Sequence, residues 1–288
     1  MNHSQTISKG NDRPDEHGNS MAPHGSTSDS RLDVTSPTDQ LAARFKKSRG
    51  YWDAASAALL ALDPGYFAVA VEFSEAATAQ QVLSPKLCAL LRLAFNVSIT
   101  HHDAAAVAQD VDNALQQGAS QQEILEVCHL SSVLGIHSCN VGFPILVEEL
   151  TLLGRESELA GAPGAEAREE ALKQAFIAAR GYWSSSWDQP LRSTPDFFEA
   201  YTAYSSYPWE HGVLEPKHKE FVYIAIDVAT HHLYEMGTRI HIRNALGYGA
   251  TAAEIIAVFQ LMSVEGLRSS TLAAGALSAK LDGKLAPT

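Results

Sequence analysis

Apolar positions run through this chain in helical periods, and they do so twice. Ile124, Val127 and Leu130, and later Ile255, Val258 and Leu261, recur every three residues, one stripe for each of two helices. Ahead of each stripe stands a glycine, Gly118 or Gly249, suited to a left-handed helix end. A capping box follows it, Ser120 with Glu123 or Thr251 with Glu254. Further upstream the runs LCALLRLAFNVSI (87–99) and HKEFVYIAIDVAT (218–230) follow Pro85 and Pro216. Both runs are too long and too alanine-rich for strands, and proline is tolerated in a first helical turn, so they are predicted to be buried helices.

The two series coincide under one gapless shift. Arg49, Gly50, Tyr51 and Trp52 return as Arg180, Gly181, Tyr182 and Trp183, which sets the shift at 131 residues. Pro64, Phe67, Leu83, Lys86 and His101 return as Pro195, Phe198, Leu214, Lys217 and His232, and the Asn113-Ala114-Leu115 motif returns as Asn244-Ala245-Leu246. The sequence therefore predicts an all-α fold, a helical bundle built from two packed copies of one unit. The units are read at 48–150 and 179–281. Residues 151–178 are read as a linker that starts as a loop and continues as an exposed helix. Residues 1–40, rich in Ser, Asn, Asp, Gly and Pro, are expected to be a disordered tail.

Composition narrows the function classes. Among 288 residues, 21 Lys and Arg face 33 Asp and Glu, a formal charge of −12 that argues against a nucleic-acid partner. Three cysteines without a CxxC pair suggest free thiols in a reducing compartment. With neither a leader-like apolar segment nor an uninterrupted apolar run of about 18 residues, the reading is a cytoplasmic chain without a membrane partner.

The strings HIRNALGYGATAAEI (241–255) and DNALQQGASQQEILEV (112–127) share a helix end with Ala and Gly four residues apart, a small polar cap and a Glu-Ile pair. This pattern resembles the carboxymuconolactone decarboxylase family of the alkylhydroperoxidase D-like superfamily. The resemblance implies two tandem units paired face to face as an intramolecular pseudo-dimer. It also implies a small organic acid or lactone as substrate, with decarboxylation, isomerisation or lactone opening by general acid and base and no cofactor. The peroxidase branch carries CxxC seven and four residues before the motif histidine. Those places hold Tyr234 and Gly237 in the second unit and Asp103 and Ala106 in the first, so thiol peroxidase chemistry is not expected. Cys128 and Cys139 read as inert.

The motif histidine occurs once, as His241, with Asp110 at the shifted position. His241 is the expected proton donor or base, with His232 and Glu235 assisting, and Arg239, Tyr234, His101, His137 and Arg268 as contacts to the substrate. A purely structural alternative pairs Arg239 and Arg243 with Asp110 and Asp112. The His-His pairs lack metal-ligand spacing, so no metal site is expected. Two other readings stay open, a thiol-less redox accessory protein and a small-molecule-binding scaffold. Homo-oligomers, including a trimer of two-unit chains, fit the reading as well.

Overall fold

Capping chemistry sets where the first six helices begin. In the computed structural model, which describes residues 36–285, Ser36 and Asp39 form a capping box that opens α1 (Pro37–Arg49). Asp53 caps α2 (Ala54–Leu62) and Asp63 caps α3 (Pro64–Ala76). Ser84 caps α4 (Pro85–Val97), Asp103 caps α5 (Ala104–Gln116) and a Ser120–Glu123 capping box opens α6 (Gln121–Val133). A 3-10 turn leads into α7 (His137–Leu152).

The same order follows in α8 (Glu166–Arg180), α9 (Asp188–Ser193), α10 (Pro195–Glu210), α11 (Pro216–Asp227), α12 (Glu235–Gly247), α13 (Ala252–Ser263) and α14 (Leu267–Leu285). Each of the last seven begins within a few residues of the position 131 beyond its counterpart, and α12 matches α5 at both ends. Gly118 and Gly249 take φ of 82° and 85°, the left-handed geometry the sequence requires of them. No strand occurs among the described residues.

α4 and α11 pack against each other at the centre, and nearly every side chain on both is buried. α5, α6, α12 and α13 cover them with Ala114, Val127, Leu130, Ala245, Val258 and Leu261 in one continuous core. Two smaller clusters each draw on both halves of the chain. Phe45, Tyr51, Leu59, Phe67 and Val71 pack with Ala274 of α14, and Phe176, Trp187, Leu191 and Phe198 pack with Ile136 just before α7. The last helix of each half thus reaches across to the other, α14 along α2 and α7 against α9.

Two sequence expectations need revision. α1 begins inside the segment read as a tail, because a capping box and the apolar face of Leu41 and Phe45 outweigh the scarcity of aliphatic residues before it. The rest of that segment, 1–35, lies outside the described residues. α8 is more than an exposed linker helix: Phe176 is fully buried and the helix packs on α10. By length and composition alone the helical path Gln121–Leu152 is apolar enough to cross a membrane, although polar residues interrupt it. Within it, Ile124, Val127 and Leu130 of α6 pack into the core.

Candidate active site

Between α11 and α12 the chain turns sharply, with Leu233 at φ 46°, a conformation that costs a bulky residue and that the shifted counterpart His102 shares at 48°. The Tyr234 N–H donates to the Asp227 carbonyl at 2.9 Å, which folds His232 and Tyr234 back over the end of α11. The first residue of α7, His137, arrives from the other half of the chain. Its Nδ1 lies 2.8 Å from His232 Nε2, and its ring packs 4.0 Å from that of Tyr234.

His241 projects from α12 toward the same place. Its Nδ1–H donates to Glu220 Oε2 at 2.6 Å, and Asn244 Nδ2 donates to the other Glu220 oxygen at 3.2 Å. Glu220 thereby fixes the tautomer of His241 and turns its Nε2 toward Asp227, whose Oδ2 lies 3.9 Å away. The Asp227 side chain is completely buried, and neither of its oxygens has a hydrogen-bond donor. Burial pushes its carboxyl up to about 7, although His241 nearby works in the opposite direction. Burial, with His232 and then His241 beside it, drives His137 down to about 3.

Gly237 explains how Asp227 fits. A Cβ at that position would stand 2.1 Å from Asp227 Oδ2, so the carboxylate occupies space that any side chain there would claim. This is one of the two places where the peroxidase branch carries cysteine. His137, Tyr234, Gly237 and His241 line a cavity of about 30 Å³, room for about two waters. Arg180, Tyr182, Tyr201, Tyr223 and Leu134 complete its wall. Arg180 is buried, donates to the Ser205 carbonyl at 3.0 Å and lies over Trp209. Among the described residues no carboxylate stands within ion-pair distance of it, and its Nε has no acceptor. An apolar groove of about 340 Å³ adjoins the cavity through shared lining by Val133, Ile136 and Tyr201.

The structure brings together His241, His232, His137 and Tyr234, and sets the other expected residues elsewhere. Glu235 and Arg239 form an ion pair on the outer face of α12, with side chains 82% and 68% exposed, and neither reaches the cavity. His101 is exposed and stacks 4.9 Å from His231, packing also on Phe95. Arg268 lies at the shifted counterpart of the cavity. There Arg49 donates to Glu265 at 2.7 Å, Arg92 Nε and Arg268 Nε approach the same carboxylate at 3.5 and 3.6 Å, and Arg268 lies 3.9 Å from Asp110. Asn96 Nδ2 donates to Asp110 at 2.6 Å. The structural alternative therefore fails too, since Asp110 meets Asn96 and Arg268 rather than Arg239 or Arg243. Sequence reasoning passed over Arg180 and Tyr223 of the cavity wall, and Glu220 and Asp227, which flank the His241 ring.

Comparison with known proteins agrees with this architecture. The family model described as "Carboxymuconolactone decarboxylase family" matches residues 195–279. A crystal structure from Burkholderia xenovorans LB400, provisionally named a gamma-carboxymuconolactone decarboxylase subunit, is 38% identical, with a TM-score of 0.81 over 86% of this chain and 98% of that one. The chain belongs to the carboxymuconolactone decarboxylase family. No curated protein matches it. As a member of this family it keeps the all-helical fold and the motif histidine of its second half. It carries its polar chemistry on imidazoles and carboxylates, with no cysteine among the residues lining the cavity.

Proposed function

We propose that this protein is a carboxymuconolactone decarboxylase-like lyase acting on a small organic acid or lactone at the His241 cavity. The observation that carries the reading is Arg180, a buried cation with no carboxylate in ion-pair contact among the described residues, beside a polarised His–Glu pair. Its counterpart Arg49 is neutralised by Glu265, and the residue shifted from Glu265 is the apolar Leu134. A buried guanidinium strongly favours a carboxylate close by, and here the substrate supplies it.

In this reading Arg180 holds the acid group and His241 transfers the proton through Nε2. Glu220 steadies the imidazolium that forms while the proton is held. Tyr234 and Tyr223 flank the reacting carbon, and the substrate arrives from the apolar groove past Tyr201. The cavity has to widen by side-chain rotation to admit it, since about 30 Å³ holds only water.

Incubation of the purified protein with aromatic-degradation lactones and β-keto acids, following carbon dioxide release and ring opening, tests the reading. Turnover that falls in His241→Ala and in Leu134→Glu, which would hand Arg180 an internal carboxylate, supports it. Ligand-induced thermal stabilisation without turnover of any of these acids would instead make the protein a binding scaffold.

A further inference from the structure

At the His137 edge of the cavity, three potential ligand atoms converge from three separate elements. His137 Nδ1 comes from the start of α7, Asp227 Oδ1 from the end of α11 and His232 Nε2 from the turn before α12. Their separations are 2.8 Å between the two nitrogens, 3.6 Å from His232 to Asp227 and 3.9 Å from His137 to Asp227. A point equidistant from three atoms so spaced lies about 2.0 Å from each, which is the bond length of zinc to imidazole nitrogen and carboxylate oxygen.

We propose that His137, His232 and Asp227 form a binding site for a divalent transition-metal ion, zinc being the ion this ligand set suits first. The separate observation that points to a ligand is Asp227 itself. Its side chain is wholly buried, aimed into the triangle, and receives no hydrogen bond at either oxygen. A hydrogen bond between two neutral imidazoles accounts for the 2.8 Å contact but leaves that carboxylate with nothing, whereas a cation between the three satisfies all of them at once.

His241 stays outside the triangle. Its Nε2 faces the second Asp227 oxygen, and its Nδ1 is committed to Glu220. It would orient a ligand from the outer shell and remain free to move protons. Three protein ligands leave a coordination position open, so water or a substrate oxygen can complete the shell. The site does not depend on the decarboxylase reading, because it is measurable without any turnover.

The test is calorimetric titration of zinc, and of cobalt as its coloured stand-in, into the chelator-stripped full-length protein. The expected result is one ion more per chain in the wild type than in Asp227→Asn or His232→Ala, or binding weakened by about 100-fold in those variants. Visible cobalt bands should disappear with it, and His101→Ala should match the wild type. His3, His17 and His24 are present in every form and cancel from the comparison. Zinc should also raise the wild-type Tm and leave that of Asp227→Asn unchanged.

Equal binding and equal bands in all forms would overturn the site and leave only an imidazole–imidazole hydrogen bond. Should a variant lose helicity, zinc-edge X-ray absorption on the wild type decides. A shell with two imidazoles at about 2.0–2.1 Å supports the site, and a shell without imidazole overturns it. Binding at this site without turnover would sink only the lyase reading. Turnover by stripped protein that takes up no zinc at these residues would sink only the metal site.

Discussion

Arg49 and Arg180 stand 131 residues apart in equivalent helices, both buried, and they meet opposite fates. Arg49 ends on Glu265 within a cluster that also holds Arg92, Arg268 and Asp110, so the charges there largely answer one another. Arg180 faces Leu134, tyrosines and a small cavity. Nearby, Arg92 gives way to Tyr223, Asn96 to Asp227 and Asp110 to His241. Desolvating a charge is costly in either place, but only the first supplies an ion-paired carboxylate. The uncompensated place is where an external acid or cation gains most by entering.

The largest effect should come from breaking the compensated side. Glu265→Ala leaves three arginines without their shared carboxylate and should cost about 3–5 kcal/mol in denaturant unfolding. A loss below about 1 kcal/mol would mean that the cluster does not hold the fold together.

Next comes Asp227, whose carboxyl is raised from 3.8 to about 7. Because the unfolded chain releases this proton earlier, the wild type should lose stability as pH climbs from about 4 to about 7 and level off above that. The span is at most about 4 kcal/mol. In chelator, Asp227→Asn should lack this component. Identical pH profiles for the two proteins would show that the buried carboxylate is neutralised by some other group. Asp110, pushed up to about 6 by burial and Glu265, contributes equally to both and drops out of the difference.

On activity, His241→Ala should lower kcat about 100-fold, near 2.7 kcal/mol, with stability largely kept. Asp110→Ala at the shifted position should do the reverse, weakening the fold through Asn96 and Arg268 while sparing the chemical step. Equal kinetic losses at both would erase the distinction between the two places. The smallest effect belongs to Glu235→Ala and Arg239→Ala, an exposed pair whose removal should stay within about 0.5 kcal/mol and leave kcat unchanged.

The starts of α4, α6, α11 and α13, the glycine ends and the recurrence of elements were legible in local chemistry. Glu235 and Arg239 lie away from the cavity because proximity in sequence does not give direction. Arg239 is two residues from His241, about 200° around a helix, and therefore on nearly the opposite side. Arg268 and His101 lie away from the cavity for another reason. They are the shifted equivalents of His137 and His232, so they sit at the counterpart of the site rather than in it. Glu220 and Asp227 were hidden inside an apolar run, although a spacing of seven, two helical turns, places both on one face of α11. No metal spacing was visible because His137, Asp227 and His232 come from three elements separated by up to 95 residues.

The reach of α7 and α14 across the molecule has a genetic corollary. Leu134 and His137, with Val133, Ile136 and Asn140, belong to the first half of the chain yet serve a cavity whose remaining lining comes from the second, and Glu265 does the converse. In an assembly of two identical chains, one codon change at such a position would alter both places together, so a lock could not be gained without losing a pocket. Carrying both halves on a single polypeptide lets each position mutate alone, and one place can be closed with charge while its twin stays open.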